Sequence, residues 1–155
     1  MMTAEDIVSE KGGEVVCISR DRTVAEAVRR MNEHRIGAIL VKDGDEIVGI
    51  WTERDFLRNN GIPGFDAQAA IVGDYMSAPL HFAAHDANLI QLEEMFLGLF
   101  LRHIPVRKEG HFIGMISIGD VLRADLLEKD RQIRELNSLA SWRYYDNWGW
   151  QRKKR

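Results

Sequence analysis

The stretch 21-DRTVAEAVRRMNEHRIGAILVKDGDEIVGIWTERDFLR-58 returns in altered form as 86-DANLIQLEEMFLGLFLRHIPVRKEGHFIGMISIGDVLR-123. The two align without a gap at a constant offset of 65 positions. Asp21 meets Asp86, Ile39 meets Ile104, Val41 meets Val106 and Gly49 meets Gly114. Asp55 meets Asp120, Leu57 meets Leu122, Arg58 meets Arg123, and the hydroxyl of Thr52 is kept by Ser117. A self-similar period of this size marks a repeated structural unit.

Each copy reads in the same order. Asp21 or Thr23 can cap a helix whose apolar stripe is Val24, Ala27, Val28 and Met31. In the second copy Asp86 or Asn88 precedes Leu89, Leu92, Met95, Phe96 and Leu99. A short apolar run follows, GAILV or HIPV, which reads as a buried strand. The polar turns KDGDE and RKEGH each hold a glycine for the tight bend. IVGIW or FIGMIS then returns as a second strand, ending at the hydroxyl residue and a further helix. Each unit is helix–strand–turn–strand–helix, and about 50 residues bury too little surface to stand alone. The expectation is one pseudo-symmetric α+β domain in which the two copies pack face to face. Residues 1–65 form the first repeat, 66–128 the second, and 129–155 a C-terminal helix and tail. Between the copies, NNGIPG breaks a helix, AQAAIVGDYM forms a short helical turn, and SAPLHFA opens the second repeat as SEKGGEVVCIS opens the first.

Composition sets wider bounds. Of the 155 residues 45% are apolar and 29% charged, as in ordinary globular proteins. No apolar run reaches the roughly 18 residues that a membrane span needs. The acidic start MMTAEDIVSEKGGE lacks the features of a secretory leader. Cys17 is the single cysteine, so no internal disulfide forms, and the expected compartment is the cytoplasm. Flanked by Val16 and Ile18, it reads as a small buried hydrophobe rather than a nucleophile.

The pattern resembles a tandem pair of cystathionine-β-synthase (CBS) domains. The residues that carry the resemblance are Gly49-Ile50-Trp51-Thr52-x-x-Asp55 and Gly114-Met115-Ile116-Ser117-x-x-Asp120, preceded by RIGAILV and RHIPV, with VGDYM opening the second repeat. It covers roughly residues 5–128. The resemblance implies a regulatory module without catalysis of its own, which pairs into a flat homodimer. Its ligand would contain adenosine: AMP, ADP, ATP, an NAD-type or an S-adenosyl compound. The ligand would act as a regulator, with no cofactor required. No enzyme or transporter domain accompanies the repeats here, so the resemblance is to a stand-alone CBS-pair protein acting on a partner that the sequence does not name.

Two readings of the Thr-x-x-Asp corner stand side by side. Thr52 and Ser117 are good N-caps, and the acid three residues on completes something close to a capping box, worth about 1 kcal/mol per helix without any ligand. The same corner also offers unpaired backbone N–H groups suited to phosphate. A carboxylate there can accept two hydrogen bonds from ribose hydroxyls. By resemblance, Asp55 and Asp120 face the sugar. Strand residues Ile36, Gly37, Ala38 and Ile39 in the first half, and Arg102, His103, Ile104 and Pro105 in the second, lie near the adenine. Arg54 beside Asp55 can supply phosphate charge; Gly119, its counterpart, cannot. His103 reads as a packed histidine or a ligand contact, and Trp51 as core.

No catalytic set is recognisable: there is no phosphate-cradling Gly-x-x-x-x-Gly-Lys-Ser/Thr run and no nucleophile–base pair. His34, His81, His85 and His111 show no spacing that suits a metal. From Val121 the last helix continues, with a broken stripe of Leu122, Leu126, Ile133 and Leu136 and pairs at Glu128/Gln132 and Arg131/Glu135. Beyond it lie Trp142, Tyr144, Tyr145, Trp148 and Trp150. Residues 141–155 carry five cations against one acid, so the rest of the chain sums to −7. The body is not a general nucleic-acid binder. The tail reads as docking onto the body or a second subunit. The rival is a scaffold protein with empty nucleotide sites, whose tail meets a protein, nucleic acid or a membrane surface.

Overall fold

The computed structural model describes residues 1–148, with side chains to residue 139. The side chains of Trp142, Tyr144, Tyr145 and Trp148, together with Trp150 and the basic terminus, lie outside the described residues. The elements run α1 (Ala4–Lys11), β1 (Cys17–Ser19), α2 (Val24–His34), β2 (Ala38–Asp43), β3 (Glu46–Thr52), α3 (Glu53–Asn60), α4 (Val72–Tyr75), β4 (Ala83–Ala84), α5 (Leu89–Leu99), β5 (His103–Lys108), β6 (His111–Ser117) and α6 (Ile118–Trp148).

The repeat is obeyed down to hydrogen-bond register. Each half forms a three-stranded sheet, β1-β2-β3 or β4-β5-β6, with the first strand parallel and the last antiparallel to the middle one. Ala38 faces Thr52 and His103 faces Ser117; the register slips after Val41 in one sheet and after Val106 in the other, again at the same offset. Of the alternative caps, Thr23 and Asn88 are used, each closing a reciprocal box with Glu26 or Gln91. Of the extended segment SAPLHFA only Ala83 lies in β4, while Ser77 pairs with Ile50 of β3 instead.

Packing resolves into three clusters. On the helix side of the first sheet, Ile18, Val24, Ala27, Ile39, Val41, Trp51 and Val72 close together. Trp51 is fully buried and donates its indole N–H to Asn59 Oδ1 at 3.0 Å, so it is core. On the helix side of the second sheet, Leu92, Phe96, Ile104, Ile116 and Val121 do the same. The face the repeats share is a third cluster, Ala38, Leu40 and Ile50 against Leu80, Phe112 and Met115. The expected common core is therefore the thin middle layer between two outer ones. Each fully buried aliphatic side chain contributes about 1.5–3 kcal/mol. Cys17 belongs to the middle layer, where burial pushes its thiol pKa up, as suits an inert hydrophobe.

The helices that open the repeats cross over. Helix α1 precedes the first repeat yet buries Ala4 and Ile7 in the core of the second. Glu5 fastens it there, 2.6 Å from Lys108 Nζ and 3.1 Å from His85 Nδ1. Helix α4 precedes the second repeat and buries Val72 in the core of the first. This crossing explains the motif glycines. A Cβ on Gly49 would lie 2.3 Å from Met76 Sδ, and one on Gly114 would lie 2.4 Å from Val8 Cγ1. Only glycine lets the opening segment lie so close to the strand.

Candidate functional site

Thr52 ends β3 in extended backbone and starts α3. Its hydroxyl accepts from the Asp55 N–H at 3.2 Å, while Asp55 Oδ2 accepts from the Thr52 N–H at 3.0 Å and the Thr52 hydroxyl at 3.1 Å. The capping box is thus complete. All three bonds leave Asp55 Oδ1 out, so a ligand donor can still be accepted there. Capping and binding are compatible uses of one residue pair.

Beside this corner lies a cavity of about 360 Å³, within the range of about 300–1,000 Å³ usual for small-molecule sites. Thr52, Arg54, Asp55 and Gly37 line it from the first repeat, and Arg102 and His103 from the second. The corner of one repeat thus faces the strand entry of the other. Ile50, Glu53, Arg58, Ser77, Leu99, Phe100 and Leu101 complete the wall; sequence reasoning did not single these out for binding. Arg58 had a signal, its match to Arg123; the α5 C-terminus had none. The remaining strand residues named from the sequence lie elsewhere. Ala38 and Ile104 are fully buried in the sheets and Pro105 is buried beside them. Ile36 lines a different and smaller cavity.

The lining is electrically mixed but cationic on balance. Arg54, Arg58 and Arg102 face Glu53 and Asp55, and none of the three arginines forms an ion pair among the described residues. Burial pulls the His103 pKa below its ordinary value. The Lys11 cation adds to this, while the Asp120 and Glu53 carboxylates oppose it. The imidazole is therefore neutral at pH 7, offering one donor and one acceptor. Phe100, 86% exposed, caps α5 in left-handed backbone at the cavity's edge.

The second corner repeats the two backbone bonds of the box but not the hydroxyl-to-carboxylate one. Asp120 Oδ2 accepts from the Ser117 N–H at 2.8 Å, and Ser117 Oγ from the Asp120 N–H at 3.2 Å. Lys11 of α1 adds a donor that the first corner lacks, 2.8 Å from Asp120 Oδ2 and 3.4 Å from the Met115 carbonyl. Burial works against the Asp120 charge, but Lys11 and the Ser117 bonds outweigh it and hold the carboxyl below its usual range. No group of three or more His, Cys, Asp or Glu side chains suited to a metal ion occurs among the described residues. No helix there is long and apolar enough to cross a membrane.

Two register-matched half-domains, each with a hydroxyl–acid corner at a strand-to-helix junction, define a paired regulatory module. The family model for the CBS domain matches residues 4–60 and 72–127, and the chain belongs to the CBS-domain family. It is 34% identical over 151 residues to the CBS domain-containing protein CBSX3, mitochondrial, of Arabidopsis thaliana, covering 92% of this chain and 73% of that protein. It is similar in structure to the CBS-domain containing protein ATU1752 from Agrobacterium tumefaciens, with a TM-score of 0.76 and 34% identity over 80% of this chain and 99% of the other. A crystal structure of CBSX2 in complex with AMP shares the fold at a TM-score of 0.69 and 22% identity, covering 83% of this chain and 99% of that one.

Proposed function

We propose that the chain is a non-catalytic sensor that binds an adenosine-containing ligand in the cavity between Thr52–Arg58 and Leu99–His103. One observation carries this reading. The Thr52–Asp55 box leaves Asp55 Oδ1 unused, and Asp55 lines a cavity of about 360 Å³ that three arginines also line. Asp55 Oδ1 and Thr52 take the ribose hydroxyls. Arg54, Arg58 and Arg102 meet phosphate, which explains cations beside an acid. Ile50, Leu99, Leu101 and the Phe100 ring supply apolar surface for the base. The AMP held by CBSX2 lends support to this ligand class.

Ligand binding changes the stiffness of the repeat interface, because the site draws on both halves. A partner protein reads that change. The working form is a homodimer in the cytoplasm, held in part by the exposed stripe on α6. Calorimetry with AMP, ADP, ATP, NAD and S-adenosylmethionine tests the reading. At least one is expected to bind, and Asp55→Ala to weaken it by about 1–3 kcal/mol, the range for a hydrogen bond to a charged group. Silence from all five removes the sensor reading.

The scaffold reading keeps one observation in its favour: Leu126, Ile133 and Leu136 are 67%, 55% and 65% exposed. An empty cavity together with a partner captured by α6 would establish it.

A further inference from the structure

The second corner carries matching residues, but the space around it is divided differently. Ser117, Asp120 and Arg123 stand where Thr52, Asp55 and Arg58 stand 65 positions earlier. What differs is α1. Lys11 reaches across to Asp120 Oδ2 and the Met115 carbonyl. Met115 is the counterpart of Ile50, which lines the open cavity. The segment before the second repeat docks in the same way, with Val72 N–H on the Arg22 carbonyl as Ala4 N–H is on the Ala87 carbonyl. Met76 therefore lies against Gly49 where Val8 lies against Gly114. Pro79, which this pairing sets opposite Lys11, has no ammonium to offer.

Around the second corner lie two smaller hollows. One, of about 120 Å³, is bounded by Ile36, Gly114 and Met115; the other, of about 320 Å³, by Asp120, Arg123 and Ala124. Lys11 is in the wall of both. It is the one residue the two linings have in common.

We propose that Lys11 determines ligand stoichiometry: it occupies the second corner as an internal cation, closing it to the sugar of an adenosine ligand, and leaves the Thr52–Asp55 corner as the single working site. The ammonium bonds Oδ2, the oxygen the cap already uses, so Asp120 Oδ1 is left as Asp55 Oδ1 is. What closes the corner is the positive charge and bulk of the Lys11 side chain beside the acid. The closure does not depend on that contact alone, since an exposed ion pair is weak. Helix α1 is anchored independently by buried Ala4 and Ile7 and by Glu5 on Lys108 and His85, which keeps Lys11 in place. This inference rests on the nucleotide reading given above.

Calorimetry of AMP against the full chain tests it. The unsubstituted protein is expected to bind one AMP per chain, at a site weakened by Asp55→Ala. Lys11→Ala is expected to bind two, and Lys11→Ala with Asp120→Ala to return to one. Lys11→Arg, which keeps the cation, stays at one. Alanine is the best helix former, so α1 is expected to survive; should a melt show otherwise, Lys11→Gln removes the charge and is expected to give two. Two AMP per chain before substitution, or one after Lys11→Ala or Lys11→Gln, overturns the proposal and leaves the nucleotide reading standing. Absence of AMP binding in every form overturns both.

Discussion

Phe100 and Arg35 occupy matching positions at the ends of α5 and α2, and both hold a left-handed backbone, at φ 52° and 53°. Neither is the glycine usual there. A side chain in this region costs about 1–2 kcal/mol relative to ordinary backbone. At Phe100 the strain places an exposed ring at the edge of the cavity, a position suited to stacking on a purine. Phe100→Gly is therefore expected to raise unfolding stability by about 1 kcal/mol in urea while weakening AMP binding, base–aromatic stacking being worth about 1–3 kcal/mol. Higher stability with unchanged affinity would show that the ring does not touch the base. The hydroxyl–acid pairs were legible as residues, because two copies at one offset are improbable by chance. Their division of labour was not: one carboxylate oxygen caps the helix and the other stays available, which only the bond geometry reveals.

At the scale of elements, the strands, turns and inner helices were readable because their apolar periods and turn glycines are local. Helix α1 was not. Its partner residues lie in the other repeat, with Lys11 bonded to Asp120 across 109 positions, and no local pattern encodes that docking. The register also hid the site's composition. Arg102 and His103, named with the strand of the second repeat, line the cavity at the corner of the first. Helix α6 continues well beyond the domain as its pattern implied, with Arg131 2.8 Å from Glu128 and 3.9 Å from Glu135. Its stripe of Leu122, Leu126, Ile133 and Leu136 faces solvent in a single chain. If that stripe pairs two subunits, sedimentation of the full chain at micromolar concentration shows a dimer, and Leu126→Glu with Ile133→Glu shifts it to monomer with little change in melting. A monomer before substitution, or a dimer indifferent to both charges, argues against pairing through α6.

For the whole molecule, the duplication explains both the stability and the asymmetry. Two sheets meet through a thin middle layer, each covered on its outer face by helices, and the opening helices cross to the opposite repeat. Crossing ties the halves together. It also brings Lys11 onto Asp120, a cation for which Asp55 has no ion-pair counterpart among the described residues, so matching corners become unequal sites. The most direct measurement is a titration of the isotope-labelled chain with AMP, followed through its backbone amide resonances. Shifts concentrated at Thr52–Arg58 and Leu99–His103, with Ser117–Asp120 quiet, are the predicted result. Saturating AMP that leaves residues 52–58 and 99–103 unmoved would contradict the account.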